Sequence, residues 1–154
     1  MAQAHYILLA EDDEDDCILF QEALDEISLP MKLMMVNDGE QLIWKLENDQ
    51  LPDILFLDLN MPRKDGFQCL QEIKQHEKFQ LLPIVIFSTS FQPDVINKLY
   101  DHGAHYYIRK PSNFEHFKKV IHYAISLVHA SLQANEIQRP SKDKFVLESG
   151  KFNS

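Results

Sequence analysis

Short, almost wholly apolar runs alternate along this chain with longer segments of helical periodicity, and that alternation restricts the fold more than any other feature. The runs lie at residues 6–10, 33–36, 54–57, 83–87 and 105–108. A run such as YILLA at 6–10 has no polar face to offer water, so it predicts a strand covered on both sides, as in a parallel sheet. Between the runs the spacing changes to that of helices. Residues 13–27 carry Cys17, Leu19, Phe20, Ala23, Leu24 and Ile27 on one side, with Pro30 just past the stop. Residues 41–48 place Leu42, Ile43 and Leu46 together, and a third helix after Gly66 does the same with Phe67, Leu70 and Ile73. Residues 93–101 fit a fourth helix, stopped by Gly103. Ser112 or Asn113 caps a fifth, whose stripe is Phe114, Phe117, Ile121, Ala124 and Val128. The predicted fold is therefore α/β: a doubly wound, five-stranded parallel sheet with five helices.

In such a sheet ligands bind beyond the carboxyl ends of the strands. The polar residues of interest all sit there. Glu11 and Asp12 follow the first run, Asp58 the third, Ser88 and Thr89 the fourth, and Lys110 the fifth. With strand order 2-1-3-4-5 the first and third strands are neighbours, so three carboxylates meet at one end of the sheet. Such a cluster raises at least one carboxyl pKa unless a cation relieves it, and carboxylates with a backbone carbonyl and waters suit Mg²⁺. Asp58 beside Lys110, a hydroxyl and a metal ion can attack phosphorus in line. Lys110 and Mg²⁺ neutralise the equatorial oxygens, and Ser88 donates a hydrogen bond to one of them. The chain has four glycines and no glycine-rich phosphate cradle, which disfavours a nucleotide as donor.

Charge is unevenly placed. Residues 1–60 hold fifteen acids and two bases, whereas residues 61–154 hold nine acids and thirteen bases, for a net charge of -9. Six acids are consecutive, from Glu11 to Asp16. Those at 13–16 are expected to be solvated or to cap the helix they begin, where acids favour the helix dipole. The net charge argues against a basic nucleic-acid binder, and no run approaches the ~20 apolar residues of a membrane span. Cys17 and Cys69 form no disulfide framework or zinc motif and are expected to be reduced core thiols, and the seven histidines to be surface residues. Residues 1–5 have no basic leader, and the expected location is cytoplasmic.

Four segments together resemble the receiver domain of a two-component response regulator: 7–13 (ILLAEDD), 54–62 (ILFLDLNMP) with Asp65 and Gly66, 84–90 (IVIFSTS) and 107–111 (YIRKP). The resemblance implies the flavodoxin-like receiver fold over residues 1–130, with 131–154 an extension lacking an output domain. It implies Asp58 as phosphoacceptor, Glu11 and Asp12 as the acidic metal pair, and Asn60 ligating Mg²⁺ through its carbonyl. Lys110 then contacts the phosphoryl group, with Ser88 and Thr89 beside it. Ser88 matches the switch hydroxyl and Tyr107 the aromatic position whose rotamer follows it, altering the face formed by the fourth helix, fifth strand and fifth helix. The implied donor is a phosphohistidine on a sensor histidine kinase or phosphotransfer protein. The acid-rich start is similar to single-domain regulators served by bacterial phytochrome kinases. Two departures stand out: Glu11 where Asp is commoner, and Ser88 where Thr is more frequent.

The competing readings are a pseudo-receiver acting only as an adaptor, a Mg²⁺-dependent phosphohydrolase, and a flavodoxin-like cofactor binder. The hydrolase lacks its second acid, because Asn60 stands two residues after Asp58. Pro111 favours a fixed loop geometry after Lys110, a cis peptide among the options. Val120, Tyr123 and Leu127 give the fifth helix a second apolar side, for a downstream protein, a homodimer or the C-terminal segment, where Phe145, Val146 and Leu147 form a small apolar group.

Overall fold

In the computed structural model, which describes residues 5–133 and 139–148, β1 (His5–Ala10) leads into α1 (Glu14–Asp25), and β2 (Met31–Val36) into α2 (Gly39–Asn48). Then follow β3 (Ile54–Asp58), α3 (Gly66–Gln75), β4 (Ile84–Ser88), α4 (Pro93–Asp101), β5 (Tyr106–Arg109) and α5 (Phe114–Gln133). A 3-10 turn at Lys142–Lys144 precedes a last short strand, β6 (Val146–Leu147). The sheet order is β2-β1-β3-β4-β5-β6, parallel throughout. The expected five-stranded order is present with a sixth strand added at the β5 edge. Two residues are too short to read as a strand from sequence. The expectations on residues 1–5 and 131–154 fall partly outside the described residues, which exclude 1–4, 134–138 and 149–154.

Period-two alternation divides the buried strand residues between two cores. Ile7, Leu9, Phe56, Val85, Phe87 and Ile108 face α1 and α5, meeting Phe20, Phe117 and Ile121. Leu8, Leu55, Leu57, Ile84, Ile86 and Tyr107 face the other side, meeting Leu42, Leu70, Ile73 and Leu99. Burying each such side chain contributes about 1.5–3 kcal/mol relative to exposure. Phe20 stands edge-on to Phe56 at 4.9 Å and to Phe87 at 5.9 Å, and Phe87 to Phe117 at 5.4 Å. The register then aligns the strand ends: Ala10 lies opposite Leu57, Asp58 opposite Phe87, and Ser88 opposite Arg109.

Aspartates begin three of the helices. Asp13 accepts from Asp16 N at 3.0 Å, Asp38 from Gln41 N at 2.8 Å, and Asp65 forms a reciprocal capping box with Gln68. At the start of α5 the cap is Asn113, accepting from His116 N at 3.2 Å, rather than Ser112. β2 begins two residues before the apolar run at 33–36, because as an edge strand it alternates half-buried and exposed positions instead of being apolar throughout. On α5 the inward stripe includes Val120 and Ile125, whereas Phe114 is only half-buried. Three smaller expectations are corrected. His105 is buried, with Nδ1 accepting from Ile84 N at 3.3 Å, and burial lowers its pKa to about 3. Cys17 is half-buried, whereas Cys69 is a core thiol. The Lys110–Pro111 peptide is trans.

Gly66 opens α3 where its backbone N–H donates to Leu59 O at 3.0 Å, and a Cβ there would sit 2.3 Å from the Asp58 carbonyl oxygen. No side chain moves out of the way of a main-chain atom in a central strand. Gly66→Ala should therefore destabilise the protein by about 1–3 kcal/mol, measured as a lower urea midpoint. An unchanged midpoint would show that the end of β3 tolerates being pushed aside.

Candidate functional site

The strand ends deliver their polar residues to one place. Glu11 follows Ala10 with its N–H donating to Val36 O at 3.0 Å, which carries the edge of the sheet one residue past β1. Asp58 ends β3. One carboxylate oxygen from each of Glu11, Asp12 and Asp58 lies within 4.8 Å of the others. Glu11 and Asp58 are buried, while Asp12 is exposed. An open depression of about 420 Å³ reaches Glu11 and Asp12 between α1 and β2, past Ile18, Met35 and Gln41.

Lys110 is brought in from the other side. Its N–H donates to Ser88 O at 2.8 Å, which fixes the turn out of β5, and its ammonium sits 4.8 Å from the Phe87 ring centroid. Nζ donates to Glu11 Oε1 and, at 2.8 Å, to Asp16 Oδ2, and it stands 3.8 Å from Asp58 Oδ1. Asp16 is the acid that the sequence reading left outside the site. Asp13 caps α1 as expected, but its capping bond places Asp16 in the first turn, where it reaches Lys110. The signal available for it was the continuation of the acidic run into that turn.

The electrostatics follow from crowding. Burial pushes the Glu11 carboxyl up to about 8, the hydrogen bond with Asp58 adds to the rise, and Lys110 opposes it. Burial likewise raises Asp58, while Glu11, Lys110 and the Asn60 backbone N–H, which donates to its carboxylate, hold the rise back. Burial works against the Lys110 ammonium, but Asp16 and Glu11 outweigh it and lift its pKa. A divalent cation would relieve this cluster, because the donors are hard carboxylate oxygens.

Ser88 is fully buried, and its Oγ accepts from Ser90 N at 3.1 Å. Thr89 is exposed in the bend that follows. Tyr107 is buried, its hydroxyl donating to the Ser90 carbonyl. Burial raises its phenol against the opposing effect of the Ser88 hydroxyl. The tyrosine, the buried serine and the loop after β4 are thus in mutual contact.

This fold and acidic cluster define a class, and the sequence agrees: residues 7–122 match the family model described as the response regulator receiver domain. The chain belongs to that family and is a receiver-domain signalling protein, with its acidic cluster at the family's expected phosphorylation site. Among its relatives, Response regulator Rcp1 of Synechocystis sp. (strain ATCC 27184 / PCC 6803 / Kazusa) is 33% identical over 121 residues, covering 75% of this chain and 82% of that protein. The structure of the phosphorylated cyanobacterial phytochrome response regulator RcpA aligns with TM-score 0.80 and 30% identity, covering 90% of this chain and 100% of that one. The Mn(2+)-bound form of Rcp1 aligns with TM-score 0.74 and 29% identity, covering 89% and 99%. Among the described residues no helix is long and apolar enough to cross a membrane.

The raised Glu11 pKa carries a stability consequence. Folded Glu11 keeps its proton up to about 8 rather than the ordinary 4.5, so within that window the native state binds more protons than the unfolded chain. Stability is then full below the window and declines as pH rises through it. With EDTA present, the urea midpoint should fall between about pH 5 and pH 8. Mg²⁺ should remove most of that fall, and Glu11→Gln should flatten it. A fall of equal size in Glu11→Gln would place its origin elsewhere.

Proposed function

We propose that Asp58 accepts a phosphoryl group from a phosphohistidine on a sensor histidine kinase or phosphotransfer protein, in a Mg²⁺-dependent reaction. The observation that carries this is the convergence of Glu11, Asp12, Asp58 and Lys110 at the carboxyl edge of the sheet. An Asp58 carboxylate oxygen forms the new bond to phosphorus as the bond from phosphorus to the donor imidazole breaks, and the imidazole, already protonated on its other ring nitrogen, leaves neutral. Lys110 lies 3.8 Å from Asp58 Oδ1, where its charge can meet an equatorial oxygen of the transferred group. Glu11, Asp12, Asp58 and the Asn60 carbonyl would hold Mg²⁺, which would supply charge neutralisation and keep these carboxylates ionised together.

The longer side chain of Glu11 would let it reach the ion while staying paired with Lys110. Ser88 is the hydroxyl that follows the new phosphoryl group, and Tyr107 the ring that follows Ser88, altering the α4–β5–α5 face. Their mutual contacts through Ser90 support this route. Residues 1–130 act as the receiver. The similarity to a phytochrome response regulator supports a phytochrome-type kinase as donor, and the acidic site supports a donor surface of positive charge.

Asp58→Asn tests the assignment. With acetyl phosphate and Mg²⁺ the parent chain should gain the mass of one phosphoryl group, and the variant should stay at background with an unchanged circular dichroism spectrum. Labelling retained in the folded variant would remove Asp58 as the acceptor.

A further inference from the structure

Residues 139–148 lie against the α4–β5 side of the proposed output face. Arg139 Nε donates to Ala104 O at 3.1 Å and its Nη2 donates to Tyr100 O, with the guanidinium 4.1 Å from the Tyr100 ring centroid. The Tyr100 hydroxyl donates to Pro140 O at 2.9 Å. Phe145 is 1% exposed, its ring 5.2 Å from that of Tyr100 and 6.4 Å from that of Tyr107. Tyr107 N donates to Phe145 O at 3.0 Å, and β6 then runs parallel to β5 along Tyr107 and Ile108. The segment therefore grips α4 and β5, and it grips β5 at Tyr107 itself.

We propose that residues 139–148 are a built-in occupant of the α4–β5 face, docked in the unphosphorylated protein and loosened when Asp58 is phosphorylated. This rests on the reading of Asp58, Ser88 and Tyr107 given above. In the docked arrangement the Ser88 hydroxyl is tied to Ser90 N and the Tyr107 hydroxyl to Ser90 O. A phosphoryl group on Asp58 draws the Ser88 hydroxyl toward it and pulls the loop carrying Ser90. The Tyr107 ring loses its acceptor where it stands, and the packing and hydrogen bond that Phe145 makes with that residue are disturbed with it. The attachment is small enough to respond. It has a two-residue strand, Phe145 as its one aromatic anchor, and a few carbonyl contacts, so it belongs to the low-stability end of local opening. Release uncovers the β5 edge, which can then accept a strand from a downstream protein.

Hydrogen exchange on the full chain tests this, with beryllofluoride and Mg²⁺ as the phosphoryl mimic and the ¹⁹F signal of bound beryllofluoride as an independent reading of the site. Binding should speed exchange in peptides covering 139–148 by about tenfold. By reciprocity, Phe145→Ala should tighten beryllofluoride by about the same factor. Arg139→Ala, on an exposed side chain, should do so more weakly and guards against a Phe145 variant that fails to fold. Bound beryllofluoride with unchanged or slower exchange in 139–148 overturns the proposal and leaves the Asp58 reading standing. Absence of a bound ¹⁹F signal overturns that reading and the proposal with it. Protection that rises with protein concentration alongside a doubled mass in sedimentation assigns the segment to a second copy, which also overturns docking within one chain.

Discussion

Two buried carboxylates and one exposed carboxylate are held close together at the end of this sheet, with a single lysine ammonium reaching into them. That arrangement is unfavourable as an isolated object. Burial disfavours charge on Glu11 and Asp58, and Asp58 disfavours it further on Glu11. It persists because the surrounding structure leaves the side chains little choice. Adjacent strands β1 and β3 end in register, and the turn out of β5 is hydrogen bonded to the end of β4. The cost is met by the two apolar cores, and the gain is an acidic cluster at the family's expected phosphorylation site.

Much of this was legible in the sequence because it follows from periodicity. Fully apolar runs such as 54–57 mark central strands whose two faces are both covered, and residues directly after such runs fall at one edge. Asp58, Glu11 and Lys110 could thus be grouped without knowing any distance. What escaped the sequence reading depends on side-chain reach or on pairing between distant segments. Asp16 was assigned to a solvated helix start, yet a lysine 94 positions away comes within 2.8 Å of it. β2 was clipped because an edge strand does not repeat the buried pattern of β1. β6 is only two residues long, and its identity as a strand is set by the open edge of β5 rather than by its own composition. His105 shows the same limit: its polar ring is tolerated inside because the backbone N–H of Ile84 donates to it.

The site and the far face share a short physical path. Ser88 contacts Ser90, Ser90 contacts Tyr107, and Tyr107 contacts Phe145 through both ring and backbone. Each link is a hydrogen bond or an aromatic contact. Ser88 and Glu11, the two departures from the commoner family pattern, both lie on the phosphoryl side of this path.

A crystal structure of the full chain with Mg²⁺ and beryllofluoride tests the central claim most directly. The account predicts beryllium bonded to an Asp58 carboxylate oxygen, Lys110 Nζ on a fluorine, and the metal ion bounded by Asp12, Asp58 and the Asn60 carbonyl, with Glu11 in direct or water-mediated contact. A metal ion seated away from these residues, or beryllofluoride bound without Asp58, would contradict it.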